Sequence, residues 1–350
     1  MQLSFGQCRG RCRERSRWAG WLGLLLACYT TLVAVAAPAL AAAPAGAPAA
    51  AHTLSAFRYV GLCDASAAVA LDTDRFVVAD DERNTLAIYR TGRNEAIEQI
   101  DLSRFLDTKA DKESDIEGAA RVGQRIFWIS SHGRNAKGEA QERRQRFFAT
   151  DIAGAGQPSL RPVGSAYSKL LNDLIRAPSL SAFDLHRAAK LAPEAPGGLN
   201  IEGLAATPNG TLLIGFRSPL HLGRALLVLL LNPADLLRGV PAQFGVPIEL
   251  DLGGRGIRSI ERAGARYVIV AGPTADNGRF ALFEWSGRAL DPPVVVAGPD
   301  FGDAHPEALL AFANTGQMYS LSDDGGRMIG GKRCKDLAVV DQAFRAQRLR

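Results

Sequence analysis

From residue 56 onward the chain alternates short apolar runs with polar turns, and the runs come in pairs. The second member of each pair is the clearest. Residues 75–79, 125–130, 211–216, 266–271 and 317–322 are rich in β-branched, aromatic and other apolar side chains, the composition of a strand. Turn chemistry precedes each one, from Gly123, Asn209-Gly210, Gly264 and Gly316, with residues 72–74 in that place in the first pair. Third strands are predicted at 85–89, 146–152, 225–231 and 279–285. Outer fourth strands fit 96–102, 159–163, 244–250 and 293–297.

A four-residue stretch opens every pair: Asp64-Ala65-Ser66-Ala67, Asp115-Ile116-Glu117-Gly118, Asn200-Ile201-Glu202-Gly203, Gly256-Ile257-Arg258-Ser259 and His305-Pro306-Glu307-Ala308. Its third residues, at 66, 117, 202, 258 and 307, lie 51, 85, 56 and 49 residues apart, a spacing that fits a four-stranded antiparallel blade repeated about an axis. The predicted class is therefore all-β, a β-propeller with five visible four-stranded blades. A sixth, degenerate blade has room only in residues 153–199. There the spacing of Leu170, Leu171, Leu174 and Ile175, with Pro193 beyond, predicts helices over 167–176 and 181–191, a small helical insertion. A β-sandwich competes, but does not require the same motif at the same point of each unit. The last blade is one strand short, since only 341–350 follows its inner hairpin. Residues 56–61 fill the gap if the two ends of the chain pair in one sheet and hide its edge.

Arg9, Arg11, Arg13, Arg15 and Arg17 lead into an apolar run from Trp18 to Ala36, followed by Pro38 and Ala39-Leu40-Ala41, the pattern of a signal peptide over residues 1–41. An uncleaved membrane anchor is the alternative. Residues 42–55 are an Ala/Pro-rich tether, and 56–350 the propeller. The address is thus periplasmic or secreted, with no membrane insertion after cleavage and a monomer expected. The net charge of +5 over 350 residues is concentrated in the leader, whose five arginines face only Glu14. The near-neutral remainder gives no support to a nucleic-acid surface. Cys63 and Cys334 are the only cysteines beyond the leader, and in an oxidising setting they are the natural disulfide, against two buried thiols. Both fall on the face where the inner strands begin.

In a propeller the inner strands start around the axis, so residues distant in sequence converge. The third motif position collects Ser66, Glu117, Glu202, Arg258 and Glu307. The first adds Asp64, Asp115, Asn200 and His305, and the ends of the second strands return Asp80, Asp81, Ser131, His132, Arg217, Asp323 and Asp324. So many carboxylates repel one another unless protons, arginines or a cation intervene. Glu117, Glu202, Glu307, Asp115, Asn200 and Asp64 form a candidate metal set, with Ca²⁺ the best cation because it accepts many oxygens in loose geometry. Alternatively, each Glu binds backbone N–H groups or Arg258 and Arg217 of neighbouring blades and simply joins them.

Residues 57–64 (FRYVGLCD), Ser114-Asp115-Ile116-Glu117-Gly118 with Ile129-Ser130-Ser131-His132-Gly133-Arg134, and Asn200-Ile201-Glu202-Gly203-Leu204 with Gly215-Phe216-Arg217-Ser218-Pro219 resemble a bacterial family, domain of unknown function 3616, over roughly residues 56–345. The Glu-Gly blade opening is also similar to the phytase-like esterases and, more distantly, to gluconolactonase-type propellers. These resemblances imply an acidic axial site, often metal-bound, acting on phosphate esters or lactones. Ser66 and Arg258 depart from a fully acidic ring.

Two function classes follow. In a metal-assisted hydrolase, the cation polarises a phosphoryl or lactone carbonyl oxygen, His305 or His132 is the general base, and Arg258 and Arg217 hold a small anionic molecule. In a binding propeller of the cell envelope, the ring fixes the blades and the rim recognises a ligand or envelope protein. Gly326 to Lys332 has phosphate-loop spacing, but Arg333 stands where Ser or Thr would hold Mg²⁺. There is no G-x-S-x-G elbow and no H-E-x-x-H pair.

Overall fold

The computed structural model describes residues 56–349 except 155, 276 and 314; the expected signal peptide and tether lie outside the described residues. Among these residues the chain forms five four-stranded antiparallel sheets. Blade 1 runs from its inner strand outward as Ala65–Ala70, Arg75–Asp80, Thr85–Arg90 and Glu98–Asp101. Blade 2 is Ile116–Val122, Arg125–Ser130, Phe147–Ala153 and Ser159–Tyr167. Blade 3 is Asn200–Ala206, Leu212–Ser218, Ala225–Leu230 and Ile248–Leu250. Blade 4 is Gly256–Ala263, Arg266–Gly272, Ala281–Trp285 and Val294–Val295. In blade 5, Pro306–Phe312, Gln317–Ser322 and Ala343–Arg348 are completed on the outside by the N-terminal Ala56–Val60. Inner strands touch in the cyclic order 1-2-3-4-5-1, so the ring is closed: this is a five-bladed β-propeller.

Both faces of every blade are covered, which is why the strands read as nearly continuous apolar runs rather than alternating ones. Alternate residues of one strand enter different interfaces. Val77 and Ala79 pack with Ile116, Trp128 and Phe148 of blade 2. Phe76 and Val78 point the other way, joining Tyr59, Tyr89, Phe312 and Phe344 between blades 5 and 1. Five clusters of this kind account for the core, one per interface. Two polar groups carried into these interfaces have partners: the Trp128 indole N–H donates to Thr150 Oγ1 at 3.0 Å, and the Tyr89 hydroxyl to the Val60 carbonyl at 2.9 Å.

The closure matches the expected pairing of chain ends, with Ala56 opposite Gln347 and Val60 opposite Ala343. Cys63 and Cys334 are disulfide-bonded across 271 residues of sequence. The region 153–199 holds no sixth blade. Its start belongs to the outer strand of blade 2, and the helical insertion begins beyond it, with an α-helix at Leu170–Arg176, a 3₁₀ segment at Pro178–Phe183 and a short helix at Leu185–Ala188. The second predicted helix is thus cut short, because Pro178 starts the 3₁₀ segment and Asp184 adopts a left-handed backbone. Leu170, Leu171, Leu174, Leu180 and Leu185 pack onto the interface of blades 2 and 3. Gly326 to Lys332 becomes a small hairpin in which Met328–Ile329 pairs with Lys332–Arg333, its turn built on the left-handed Gly330 and Gly331. No helix of the described residues is long and apolar enough to cross a membrane.

Candidate functional site in the axial cavity

Every inner strand carries a β-bulge at the same place. Register slips between Ala65 and Ala67, Ile116 and Gly118, Ile201 and Gly203, Ile257 and Ser259, and Pro306 and Ala308. The skipped residues are Ser66, Glu117, Glu202, Arg258 and Glu307. A bulge leaves its extra residue out of the ladder and re-aims its side chain. Four of these five line a cavity of about 320 Å³ at the axis, with Asp64, Asp81, Asp115, Asn200, Arg217, His305 and Asp323 among the other lining residues.

The cavity has two unlike halves. Around blades 3 to 5, acid is matched by arginine. Arg217 Nη1 lies 3.0 Å from Glu202 Oε1, Arg258 Nε lies 2.9 Å from Glu202 Oε2, and Arg258 Nη2 pairs with Glu307. Arg258 therefore ties blades 3, 4 and 5 together, the joining role anticipated for these glutamates. Its guanidinium also lies 5.7 Å from the centre of the Phe280 ring. Asn200 donates to Glu202 Oε1 at 2.9 Å, while its own Oδ1 is buried without a partner.

Around blades 1 and 2 the carboxylates outnumber their partners. Asp81, Asp115 and Glu117 each bring one oxygen within 4.8 Å of the others, as do Asp64, Asp80 and Asp81. These carboxylates are close enough together that one ion could be held by each set of three. Arg144 Nη1 pairs with Asp115 Oδ2 at 3.1 Å, and Arg83 with Asp80 Oδ2 at 2.5 Å. Burial raises the carboxyl pKa of Glu117 and Asp81 well above the ordinary range, reinforced by Asp115 and Glu202 for the first and by Asp64 and Glu117 for the second. Asp64 is pushed up to about 9 by burial and then by Asp323, to which it is hydrogen-bonded. Asp80 rises to about 6 by burial, with Arg83 opposing. Proton uptake and cation binding are alternative answers to the same crowding.

Of the expected metal set, Asp64, Asp115 and Glu117 fall in the acidic cluster, whereas Glu202 and Glu307 belong to the arginine half. His305 lines the cavity with an exposed side chain. His132 is buried at a left-handed backbone position, its Nδ1 2.7 Å from the Ser130 carbonyl and its Nε2 unpartnered; burial lowers its pKa to about 4. It is not among the residues lining the cavity. Asp324 turns away to Arg345. Arg144, Lys335, Glu82 and Gly325 escaped the sequence reading, since none lies in the repeated motif. Lys335 follows the disulfide-bonded Cys334, pairs with Glu82, and with it faces the cavity. The insertion adds Pro193 and Glu194 to the wall.

Fold and site together define a closed five-bladed propeller with a charged, acid-rich axial cavity. The chain belongs to a family described as protein of unknown function, DUF3616, which it matches over residues 64–152 and 165–300. No curated protein matches the sequence. Among solved structures it is similar to the glutaminyl cyclase of Myxococcus xanthus, at 14% identity and a TM-score of 0.42, covering 83% of this chain and 94% of that one. A luciferin-regenerating enzyme is similar at 9% identity and a TM-score of 0.41, covering 84% and 95%. The β-propeller domain of Myceliophteria thermophila Cps50 is similar at 8% and 0.36, covering 84% and 98%.

Proposed function

We propose that the protein is a metal-assisted hydrolase of small phosphate esters or lactones, exported by its N-terminal leader, with a divalent cation, Ca²⁺ foremost, in the axial cavity. One observation carries this reading: Asp81, Asp115 and Glu117 converge within ligand reach of one another on a cavity that Asn200 also lines, and Oδ1 of both Asp81 and Asn200 is buried without a partner. Carboxylates plus an amide oxygen are the donor set Ca²⁺ favours. When bound, the cation supplies polarisation of a phosphoryl or carbonyl oxygen.

The chain's own groups supply the rest. Arg258 and Arg217 stand on the cavity wall of blades 3 and 4 as N–H donors to an anionic group, their charge balanced by Glu202 and Glu307. His305, the imidazole on the cavity wall, is the base to which a water proton passes. His132 receives no role, because its ring is buried and stands apart from the lining. The disulfide accords with an oxidising compartment.

The binding-only reading rests on a different observation, the ion pairs that commit Glu202, Arg258 and Glu307 to one another. Thermal melts with Ca²⁺ and with chelator, beside assays of p-nitrophenyl phosphate and a δ-lactone, separate the two. Ca²⁺ stabilisation with Ca²⁺-dependent turnover of either substrate supports the hydrolase. Stabilisation without turnover supports a binding propeller, and a melt indifferent to Ca²⁺ across the millimolar range overturns the cation site.

A further inference from the structure

We propose that Phe280 sets the specificity of the axial site, as a platform for a ring that the substrate carries beside its anionic group. The inference deepens the reading above and rests on it. Charged side chains make up most of the cavity lining, and Phe280 is the one carbocyclic aromatic residue among the described residues that line it. Its ring is half-buried, so part of its surface is left to the cavity. An apolar ring surface in a charged wall offers nothing to a bare ion, and it suits the apolar face of a sugar or aryl ring.

The ring is held in place from several sides. Gly272 closes the second strand of blade 4, and a Cβ there would lie 2.7 Å from Phe280 Cε1 and 2.6 Å from Arg258 Cγ, so the missing side chain is what lets the ring and the arginine stem come together. Both ends of the loop 273–280 are tied down. The Pro273 carbonyl accepts from Arg217 Nε at 3.3 Å, and the Arg279 carbonyl accepts from Arg255 Nε at 3.0 Å. Phe301 and His305 flank the ring, their centroids 6.5 Å and 5.9 Å from its own.

Position decides what the platform meets. The Arg258 guanidinium lies 5.7 Å from the centre of the Phe280 ring, and Arg258 is one of the two donors to the anionic group. A phosphoryl group held at Arg258 therefore has its ester substituent beside Phe280, with His305 on the flank of the same ring. A short alkyl ester fills the anion position and leaves the ring uncovered, whereas a sugar or aryl ester covers it. Among phosphate esters, this selects those of cyclic alcohols and phenols.

Calorimetric titration of the purified protein in CaCl₂ with phenylphosphonate and with methylphosphonate, neither of which is an ester, tests the inference without turnover. Wild type should bind phenylphosphonate about tenfold more tightly, as one aromatic pair allows. Phe280→Ala should reduce that preference to about twofold and leave the methylphosphonate affinity within about twofold of wild type, whereas Phe280→Tyr, which keeps the ring, should retain the preference. Equal affinities of wild type for the two probes overturn the platform and leave the anion position standing. Failure of both probes to bind overturns the anionic-substrate reading and the platform with it. A preference that survives in Phe280→Ala overturns the platform alone. If Phe280→Ala fails to fold, Phe280→Leu takes its place, and the same loss of preference is required.

Discussion

Arg258 in the fourth blade is ion-paired at once to Glu202 in the third and Glu307 in the fifth, with all three side chains less than a tenth exposed. Burial lowers the pKa of the guanidinium, and the neighbouring glutamate of blade 3 opposes that shift. Removing Arg258 alone strands Glu307 and leaves Glu202 to Arg217.

Arg258→Met should therefore cost about 3–5 kcal/mol of unfolding free energy, because it leaves the buried Glu307 without its cation and Glu202 with Arg217 alone. Adding Glu307→Gln to the same chain should recover most of that loss, since Glu202 keeps Arg217. Urea unfolding of the single and double variants checks both, and a single variant within ~0.5 kcal/mol of wild type would contradict the blade-tying role.

The disulfide offers a second test. Cys63→Ser with Cys334→Ser should lower stability by about 2–5 kcal/mol, since the bridge closes a loop of nearly the whole domain. Because Cys63 adjoins Asp64 and Cys334 adjoins Lys335, the same change should also weaken Ca²⁺ binding. Calorimetry on oxidised and fully reduced wild type reads both effects, and an unchanged affinity would show that the bridge does not position the site.

Gly325→Ala isolates the space around Asp64. The added methyl meets the carboxylate, so either Asp64 or the loop must move. Ca²⁺ affinity, read by calorimetric titration, should fall by tenfold or more, and an unchanged affinity would show that Asp64 does not take part in holding the ion.

At the other end of the axis, Glu261 lines a separate cavity of about 390 Å³ with Arg121 and Arg262, and burial raises its pKa to about 8. A carboxyl with a folded pKa above its unfolded one keeps its proton longer in the native state. Its contribution is thus greatest near pH 4 and is lost as pH climbs through about 8. Glu261→Gln should flatten the stability profile between pH 5 and 8, raising stability at pH 8 by about 1–3 kcal/mol relative to wild type. Melts at pH 5 and pH 8 measure it, and a parallel pH profile in both proteins would rule it out.

The blades were legible because burial on both faces makes each strand an apolar run, and because closing the ring repeats the same turn at the same phase. Residues 125–130 were predicted with the bounds the structure has. Outer strands were harder: blade 4 pairs only Val294–Val295 where residues 293–297 were expected, since an edge strand carries little burial to mark it. The convergence of Glu117, Glu202, Arg258 and Glu307 was legible from the motif, but not its cause. A bulge leaves no fixed residue signature, and its register slip is visible only when the partner strand is known. The division of the ring was hidden for a related reason. Which glutamates meet arginine depends on blade order around the axis, and Arg144 stands outside the repeat.

The outermost strand of the last blade is the first one described, and its hydrogen-bonding partner is residues 343–348. A chain emerging vectorially can assemble blades 1 to 4 from neighbours in sequence, but it cannot finish blade 5 until almost all of it has appeared. Contacts of such long range are slow to form, and they leave the apolar sides of Tyr59 and Phe344 waiting for each other. The seam between blades 5 and 1 is therefore where the ring commits last. Asp64 and Asp323, which bridge that seam, come together only at this step, so a complete acidic site reports a finished chain.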